Sequence, residues 1–206
     1  MNKIKVLLVD DHAILRMGLV SLLGTESDFT VVGDAGGGAA ALEKYAKLKP
    51  DVVILDLMMP EMDGIATTRA LRAADPEAKI LILTTFGTSD GIAAALTAGA
   101  TGAIMKNAPF EELVAAVRSV AAGERSVSQE IERILVEDPP AAELSARQRE
   151  ILALMVRGLT NADIAKTLEI SVDMVKEHGA AIYEKMGAAN RTEAVAIALR
   201  KKILDL

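Results

Sequence analysis

The 206-residue chain contains no cysteine, which removes disulfides, thiolate metal ligands and thiol nucleophiles from its chemistry. Its two histidines, His12 and His178, lie far apart, so a zinc site lacks its usual ligands. Aromatic residues make up 2% of the chain against 51% hydrophobic residues in all, so any core must be built from aliphatic side chains. No apolar run approaches the ~20 residues that a membrane-spanning helix needs. The N-terminus, Met1-Asn2-Lys3-Ile4-Lys5, passes directly into a charged strand-like run unlike the apolar stretch of a signal peptide. These absences lead to the expectation of a cytoplasmic protein with no membrane partner. A net charge of −6 argues against the whole surface binding nucleic acid.

What is present is a set of apolar runs that end abruptly in polar residues. Val52-Val53-Ile54-Leu55 ends in Asp56, Ile4-Lys5-Val6-Leu7-Leu8-Val9 in Asp10-Asp11, Ile80-Leu81-Ile82-Leu83 in Thr84-Thr85, and Gly102-Ala103-Ile104-Met105 in Lys106. Such runs read as buried parallel strands, and in an open α/β sheet ligands bind beyond the carboxyl ends of the strands. The endings therefore converge on one carboxylate-rich pocket. Crowded carboxylates repel one another unless a cation sits among them, and oxygen ligands suit Mg²⁺. Lys106 adds a positive charge able to hold a phosphoryl oxygen. Asp11 also reads as an N-cap for a helix beginning near Ala13. His12, beside the acidic pair, is assigned no catalytic role.

This constellation resembles the receiver domain of bacterial two-component response regulators from about Ile4 to Gly123, which implies a receiver domain over residues 1–123. The resemblance implies a flavodoxin-like, doubly wound parallel sheet of five strands. It implies Asp56 as phosphoacceptor, Asp10, Asp11, Asp56 and the Met58 backbone carbonyl around Mg²⁺, and Thr84 and Lys106 on the phosphoryl group. The segment Met58-Met59-Pro60-Glu61-Met62-Asp63-Gly64 fits the family's loop after the phosphoacceptor. The implied reaction is attack of the Asp56 carboxylate on a phosphorylated donor, a histidine kinase, giving an aspartyl phosphate that water later hydrolyses. The receiver would catalyse only its own phosphorylation and dephosphorylation, so the chain is expected not to be a free-standing enzyme.

Two rivals are weaker. Gly36-Gly37-Gly38-Ala39-Ala40-Ala41 matches a dinucleotide-binding fingerprint, but it follows the second strand and leaves Asp10, Asp11 and Lys106 without a role. These glycines are read as a flexible turn. A phosphatase of the haloacid dehalogenase type needs an aspartate two residues after the nucleophile, where this chain has Met58.

Residues 124–142 read as a connector, with Glu137-Asp138-Pro139-Pro140 stopping any helix and no sustained core pattern. The receiver, connector and remaining segment carry net charges of −4, −3 and +1, so only the last is a candidate for nucleic-acid binding. Residues 143–206 read as a small all-α domain. Ser145 through Gln148 resembles a capping box before Ile151, Leu152, Leu154 and Met155, with Gly158 as stop. Thr160 through Asp163 caps the next helix, and Ser171 a third that carries Val175, Ile182 and Met186. A last helix is expected from Thr192, burying Ala194, Val195, Ile197, Ala198 and Leu199.

Two short helices joined at Glu169-Ile170-Ser171 form a helix-turn-helix candidate, whose second helix would enter the major groove. Leu144-Ser145, Gly158-Leu159-Thr160-Asn161, Ile164-Ala165, Val175-Lys176, His178 and Asn190-Arg191-Thr192 resemble the LuxR-type output domain. The whole chain is thus similar to a NarL/FixJ-type response regulator, which implies phosphorylation-controlled transcription and binding of double-stranded DNA through Thr160, Asn161, Lys176, Glu177, Ala180, Lys185 and Arg191. Dimerisation on phosphorylation is the expected switch, since so little positive charge calls for two output domains on adjacent half-sites.

The chain departs from the family's pattern at five places, one of them Ala180, a short side chain where the family often makes a base or phosphate contact. Met174 replaces the usual threonine and Gly179 a bulky aliphatic, and a mid-helix glycine costs about 0.5–1 kcal/mol relative to alanine. Glu177 would accept from cytosine N4 or repel phosphate. Ala103 stands where receivers carry a switching aromatic, three residues before the lysine, and Phe86 is the nearby aromatic. An alternative reading follows from Glu177, Gly179 and Ala180: a phosphorylation-responsive protein-interaction module with lost or narrowed DNA recognition.

Overall fold

The computed structural model describes residues 3–85, 89–140, 144–201 and 203–204. Phe86, and the expected boundary between connector and output domain at 142–143, lie outside the described residues. The chain divides into two compact units, Met1–Pro139 and Pro140–Leu206.

In the first unit, strands and helices alternate as the apolar runs require. The elements are β1 (Ile4–Val9), α1 (Ala13–Leu23), β2 (Phe29–Ala35), α2 (Gly38–Leu48), β3 (Val52–Asp56), α3 (Gly64–Ala74), β4 (Ile80–Thr84), α4 (Ser89–Thr97), β5 (Gly102–Met105), α5 (Phe110–Ala121), β6 (Ser126–Val127) and α6 (Gln129–Glu137). All strand pairs are parallel, in the order β2-β1-β3-β4-β5-β6. Successive strand residues face opposite sides of the sheet. Leu7, Val9, Val53, Leu55, Ile80, Ile82, Ala103 and Met105 therefore pack with α2, α3, α4 and α6 residues, whereas Val6, Leu8, Val52, Ile54, Leu81, Leu83 and Ile104 pack with α1 and α5. Burying both faces explains why these strands lack polar alternation. Tyr45 of α2 donates to Asp75 just past α3 at 2.7 Å, tying these helices together at their edge.

The sheet has six strands among the described residues, where five are expected, and residues 124–137 are folded onto it. Two features make this possible. Gly102 lacks the Cβ that would meet the Ser126 carbonyl oxygen at 2.3 Å, so β6 can approach β5. Ser128 caps α6 by accepting from the Ile131 amide at 3.4 Å, and Ile131 is fully buried in the core that also holds Ala103 and Met105. Ile131, Ile134 and Leu135 form a short apolar stripe at helical spacing, too brief to stand out in the sequence. The helix stops at Glu137, before Pro139-Pro140, as expected.

Gly38 also differs from expectation. It opens α2, is buried, and a Cβ there would meet Thr67 Oγ1 at 2.2 Å, so it serves close packing of α2 on α3.

The second unit contains α7 (Ala146–Val156), α8 (Asn161–Leu168), α9 (Val172–Met186) and α10 (Arg191–Arg200) around a core of Ile151, Leu152, Met155, Ile164, Val175, Ile182 and Ala194. Capping boxes join Ser145 to Gln148 and Thr160 to Asp163, while Ser171 caps α9 and Gly187 ends it at φ 64°. The helix α10 begins one residue before Thr192, capped by Asn190, and Leu199 is about half exposed where burial is expected. Gly179 is buried, and a Cβ there would sit 3.3 Å from the Met155 methyl group, a tight contact that a shift of a few tenths of an ångström in this flexible side chain relieves. No helix among the described residues is long and apolar enough to cross a membrane.

Candidate functional site

The strand endings converge as expected. Asp10 follows β1, Asp56 closes β3, Thr84 closes β4 and Lys106 follows β5. Lys106 Nζ lies 2.6 Å from Asp10 Oδ2 and 2.9 Å from Asp56 Oδ2, so one ammonium bridges two buried carboxylates. Donor atoms of Asp10, Asp11, His12 and Asp56 all lie within 4.8 Å of one another. His12 Nδ1 is 2.7 Å from Asp11 Oδ1 and 3.2 Å from Asp10 Oδ1, placing this exposed ring at the rim of the cluster. Sequence reasoning gives His12 no part here, and its adjacency to the acidic pair is the only signal for it.

The helix cap expected of Asp11 falls elsewhere. His12 is the N-cap residue of α1, and its amide donates to Asp10 Oδ1 at 2.7 Å. Asp10 turns back over the chain to take the amide of the N-cap residue itself, and the cap carries no side-chain hydrogen bond.

Burial drives the pKa of the Asp56 carboxyl above the ordinary aspartate value, with the charge of Asp10 pushing the same way against Lys106 and the Met58 amide. Burial alone would lower the pKa of Lys106, but hydrogen bonds and charges from Asp10 and Asp56 outweigh it and raise the pKa. The ammonium is therefore fixed in its charged form. Three carboxylates against one ammonium leave an excess of negative charge, and this oxygen-rich donor set fits a hard divalent cation. Met58 follows β3, with its amide 3.4 Å from Asp56 Oδ1.

Thr84 Oγ1 is buried and has no hydrogen-bond partner among the described residues. A buried hydroxyl without a partner is costly, which marks a group reserved for a ligand or another state. A cavity of about 510 Å³ lies elsewhere, between α5 and β6–α6, and none of these charged residues lines it.

The expected nucleic-acid residues divide into two sets. Lys176, Glu177 and Ala180 share the exposed face of α9, together with Asp173, Met174 and Glu184, and Lys176 pairs with Asp173 at 3.0 Å. Thr160 and Asn161 sit at the start of α8, where the Thr160 hydroxyl donates to Asp163 at 2.6 Å. Lys185 and Arg191 turn onto protein acceptors. Lys185 donates to Gln148 Oε1 at 3.0 Å, and Arg191 donates to the carbonyls of Met155 and Leu159 and, at 3.3 Å, to Asn161 Oδ1.

A parallel sheet of this order with an acidic cluster and bridging lysine, followed by a helix-turn-helix unit, defines the response-regulator class. The family described as "Response regulator receiver domain" matches residues 6–118, and "Bacterial regulatory proteins, luxR family" matches residues 142–198. The chain belongs to the response regulators of the NarL/FixJ type, joining a receiver to a LuxR-type DNA-binding domain. It is similar to the oxygen regulatory protein NreC of Staphylococcus aureus (strain JH9), 37% identical over 98% of this chain and 99% of the relative. Among solved structures it resembles the response regulator ChrA of a heme-sensing two-component system, with 40% identity, TM-score 0.60 and coverage of 99% of this chain and 100% of that one. It also resembles RcsB from Salmonella enterica serovar Typhimurium bound to promoter P1flhDC in the presence of the phosphomimetic BeF3-, with 25% identity, TM-score 0.73 and coverage of 95% and 98%.

Proposed function

We propose that a histidine kinase phosphorylates this regulator on Asp56, and that the modified receiver favours a dimer whose two output units hold adjacent half-sites on double-stranded DNA. The observation that carries the reading is the Lys106 ammonium shared between Asp10 and Asp56 beside the buried, unpartnered Thr84 hydroxyl. Asp56 attacks the phosphorus of a phosphohistidine, the new O–P bond forms as the P–N bond breaks, and water later cleaves the acyl phosphate. Lys106 leaves Asp10 in part to hold a phosphoryl oxygen, and Thr84 donates its hydroxyl to another.

Asp10, Asp11, Asp56 and the Met58 carbonyl would hold Mg²⁺, which neutralises charge on the phosphoryl oxygens when bound. The receiver catalyses only its own phosphorylation and dephosphorylation. Its proposed place of work is the cytoplasm, without a membrane partner. On the output unit, the exposed α9 residues and the start of α8 make the DNA contacts, Lys185 and Arg191 serving mainly to shape that surface.

A second reading has one observation in its favour. The exposed face of α9 carries Asp173, Glu177 and Glu184 against Lys176, and Lys176 is paired. Such a face suits a basic protein partner as well as a DNA groove. The two readings separate on fragmented host DNA at low salt, after treatment with an acyl phosphate and Mg²⁺, using Asp56→Ala as control. Selective binding and a doubled mass that both require Asp56 support the transcription regulator. A phosphorylated protein that binds no fragment would favour the protein-interaction module, and an unmodified Asp56 would overturn both.

A further inference from the structure

We propose that Arg16 is a positioning residue for the acidic cluster, holding Asp10 in the geometry with which it meets a divalent cation. The inference rests on the phosphoryl-transfer reading of Asp56. Asp10 lies one residue beyond β1, where the ladder no longer holds it fully. Its amide still donates to the Ala35 carbonyl at 3.1 Å, but its own carbonyl is held by Arg16 Nη1 at 2.6 Å. The Asp10 carboxylate accepts from the His12 amide at 2.7 Å and lies 3.2 Å from the His12 ring with one oxygen, and pairs with Lys106 at 2.6 Å with the other. A pivot of its backbone would misplace both oxygens at once.

Arg16 is itself held. Its Nε donates to Asp34 Oδ2 at 3.0 Å, the Asp34 carbonyl accepts from Lys44, and the Arg16 side chain is 18% exposed. The chain of contacts thus runs from α2 through β2 and α1 to the end of β1. A guanidinium suits this task because its donors form a rigid fork, so one group fixes the angle between Asp34 and the Asp10 carbonyl. A bond from a charged donor is also stronger than a neutral one. Arg16 touches no reacting atom and acts only through Asp10.

The test is a Mg²⁺ titration of the full chain by calorimetry and amide chemical shifts, without phosphodonor and well below each variant's Tm. Arg16→Gln is expected to weaken Mg²⁺ affinity about tenfold, the range seen when groups that orient metal ligands are removed. Arg16→Lys, which keeps the charge but not the fork, falls between. Asp34→Asn leaves the guanidinium on the Asp10 carbonyl and weakens affinity less. A lowered Tm with Mg²⁺ affinity within about twofold of wild type would make Arg16 a merely structural tie and overturn the inference. Should Arg16→Gln fail to fold, unchanged affinity in Asp34→Asn has the same consequence. A wild-type chain that binds no Mg²⁺ at millimolar concentration would instead remove the parent reading and this one with it.

Discussion

The amide of Ser128 donates to the carbonyl of Ala103 at 3.0 Å, binding the β6–α6 segment to the strand that delivers Lys106. At the far end of α6, Ser89 donates to Asp138 at 2.9 Å, so the first residue of α4 is tied to the residue just after α6. The segment lies within the receiver's compact unit. Ala103, which lacks the aromatic bulk common in receivers, shares its buried cluster with Ile131 of this segment.

Ile131→Ala is therefore expected to destabilise the receiver by about 2–5 kcal/mol, the usual cost of emptying a fully buried aliphatic site. Chemical denaturation measures it. A change under about 0.5 kcal/mol would mean that α6 is a loosely attached connector.

Asp56 gives a pH signature. An aspartate whose pKa is higher folded than unfolded holds its proton more tightly when folded. Stability falls as pH rises from the unfolded value through the raised folded one, and the loss persists above that window. Without Mg²⁺, Asp56→Asn should be more stable than wild type near neutral pH, and the difference should shrink as the medium is acidified toward the unfolded value. Urea melts at a series of pH values decide it, and equal stability of the two proteins at neutral pH would refute the expectation.

Gly64 begins α3 directly under the end of β3, and a Cβ there would meet the Asp56 carbonyl oxygen at 2.4 Å and Leu57 Cα at 2.8 Å. Both obstacles are backbone and cannot swing aside. Gly64→Ala should cost about 1–3 kcal/mol, as overpacking does, and slow phosphoryl uptake by displacing Asp56. Normal uptake with an unchanged melt would contradict this geometry.

Arg191 holds three acceptors that join α7, the loop after it and the start of α8. Arg191→Ala should lower the stability of the output unit by about 1–3 kcal/mol, because the part-buried Leu159 carbonyl loses its side-chain donor and the charged tie between α7 and α8 is cut, while the Met155 carbonyl keeps the Gly158 amide. A full-strength melt combined with weakened DNA binding would return Arg191 to the set of direct contacts.

Long apolar runs ending in Asp56, Asp10, Thr84 and Lys106 made the receiver and its site legible, since strands buried on both faces have few other ways to be written. Capping residues did the same for the output helices, where Ser145, Thr160 and Ser171 each accept the backbone bond their position suggests. The segment β6–α6 was harder to read. A two-residue strand has no periodicity, and its clearest trace is a glycine in the neighbouring strand, Gly102, whose missing side chain marks where another backbone must pass. Arg16 and Arg191 were opaque for another reason: each divides its donors between a side chain and backbone carbonyls, and a carbonyl acceptor is announced by no residue type.

The bond from Tyr45 to Asp75 has a spectroscopic consequence. The chain has no tryptophan and two tyrosines, Tyr45 in α2 and Tyr183 in α9, one in each compact unit. Burial and the Asp75 carboxylate raise the pKa of the Tyr45 phenol above the ordinary tyrosine value of 10.0, so it resists ionisation while the receiver is folded. In a chain carrying Tyr183→Phe, tyrosinate absorbance in a mild alkaline titration would come from Tyr45 alone and signal opening of the receiver, giving the protein an ultraviolet reporter of one half of its own fold.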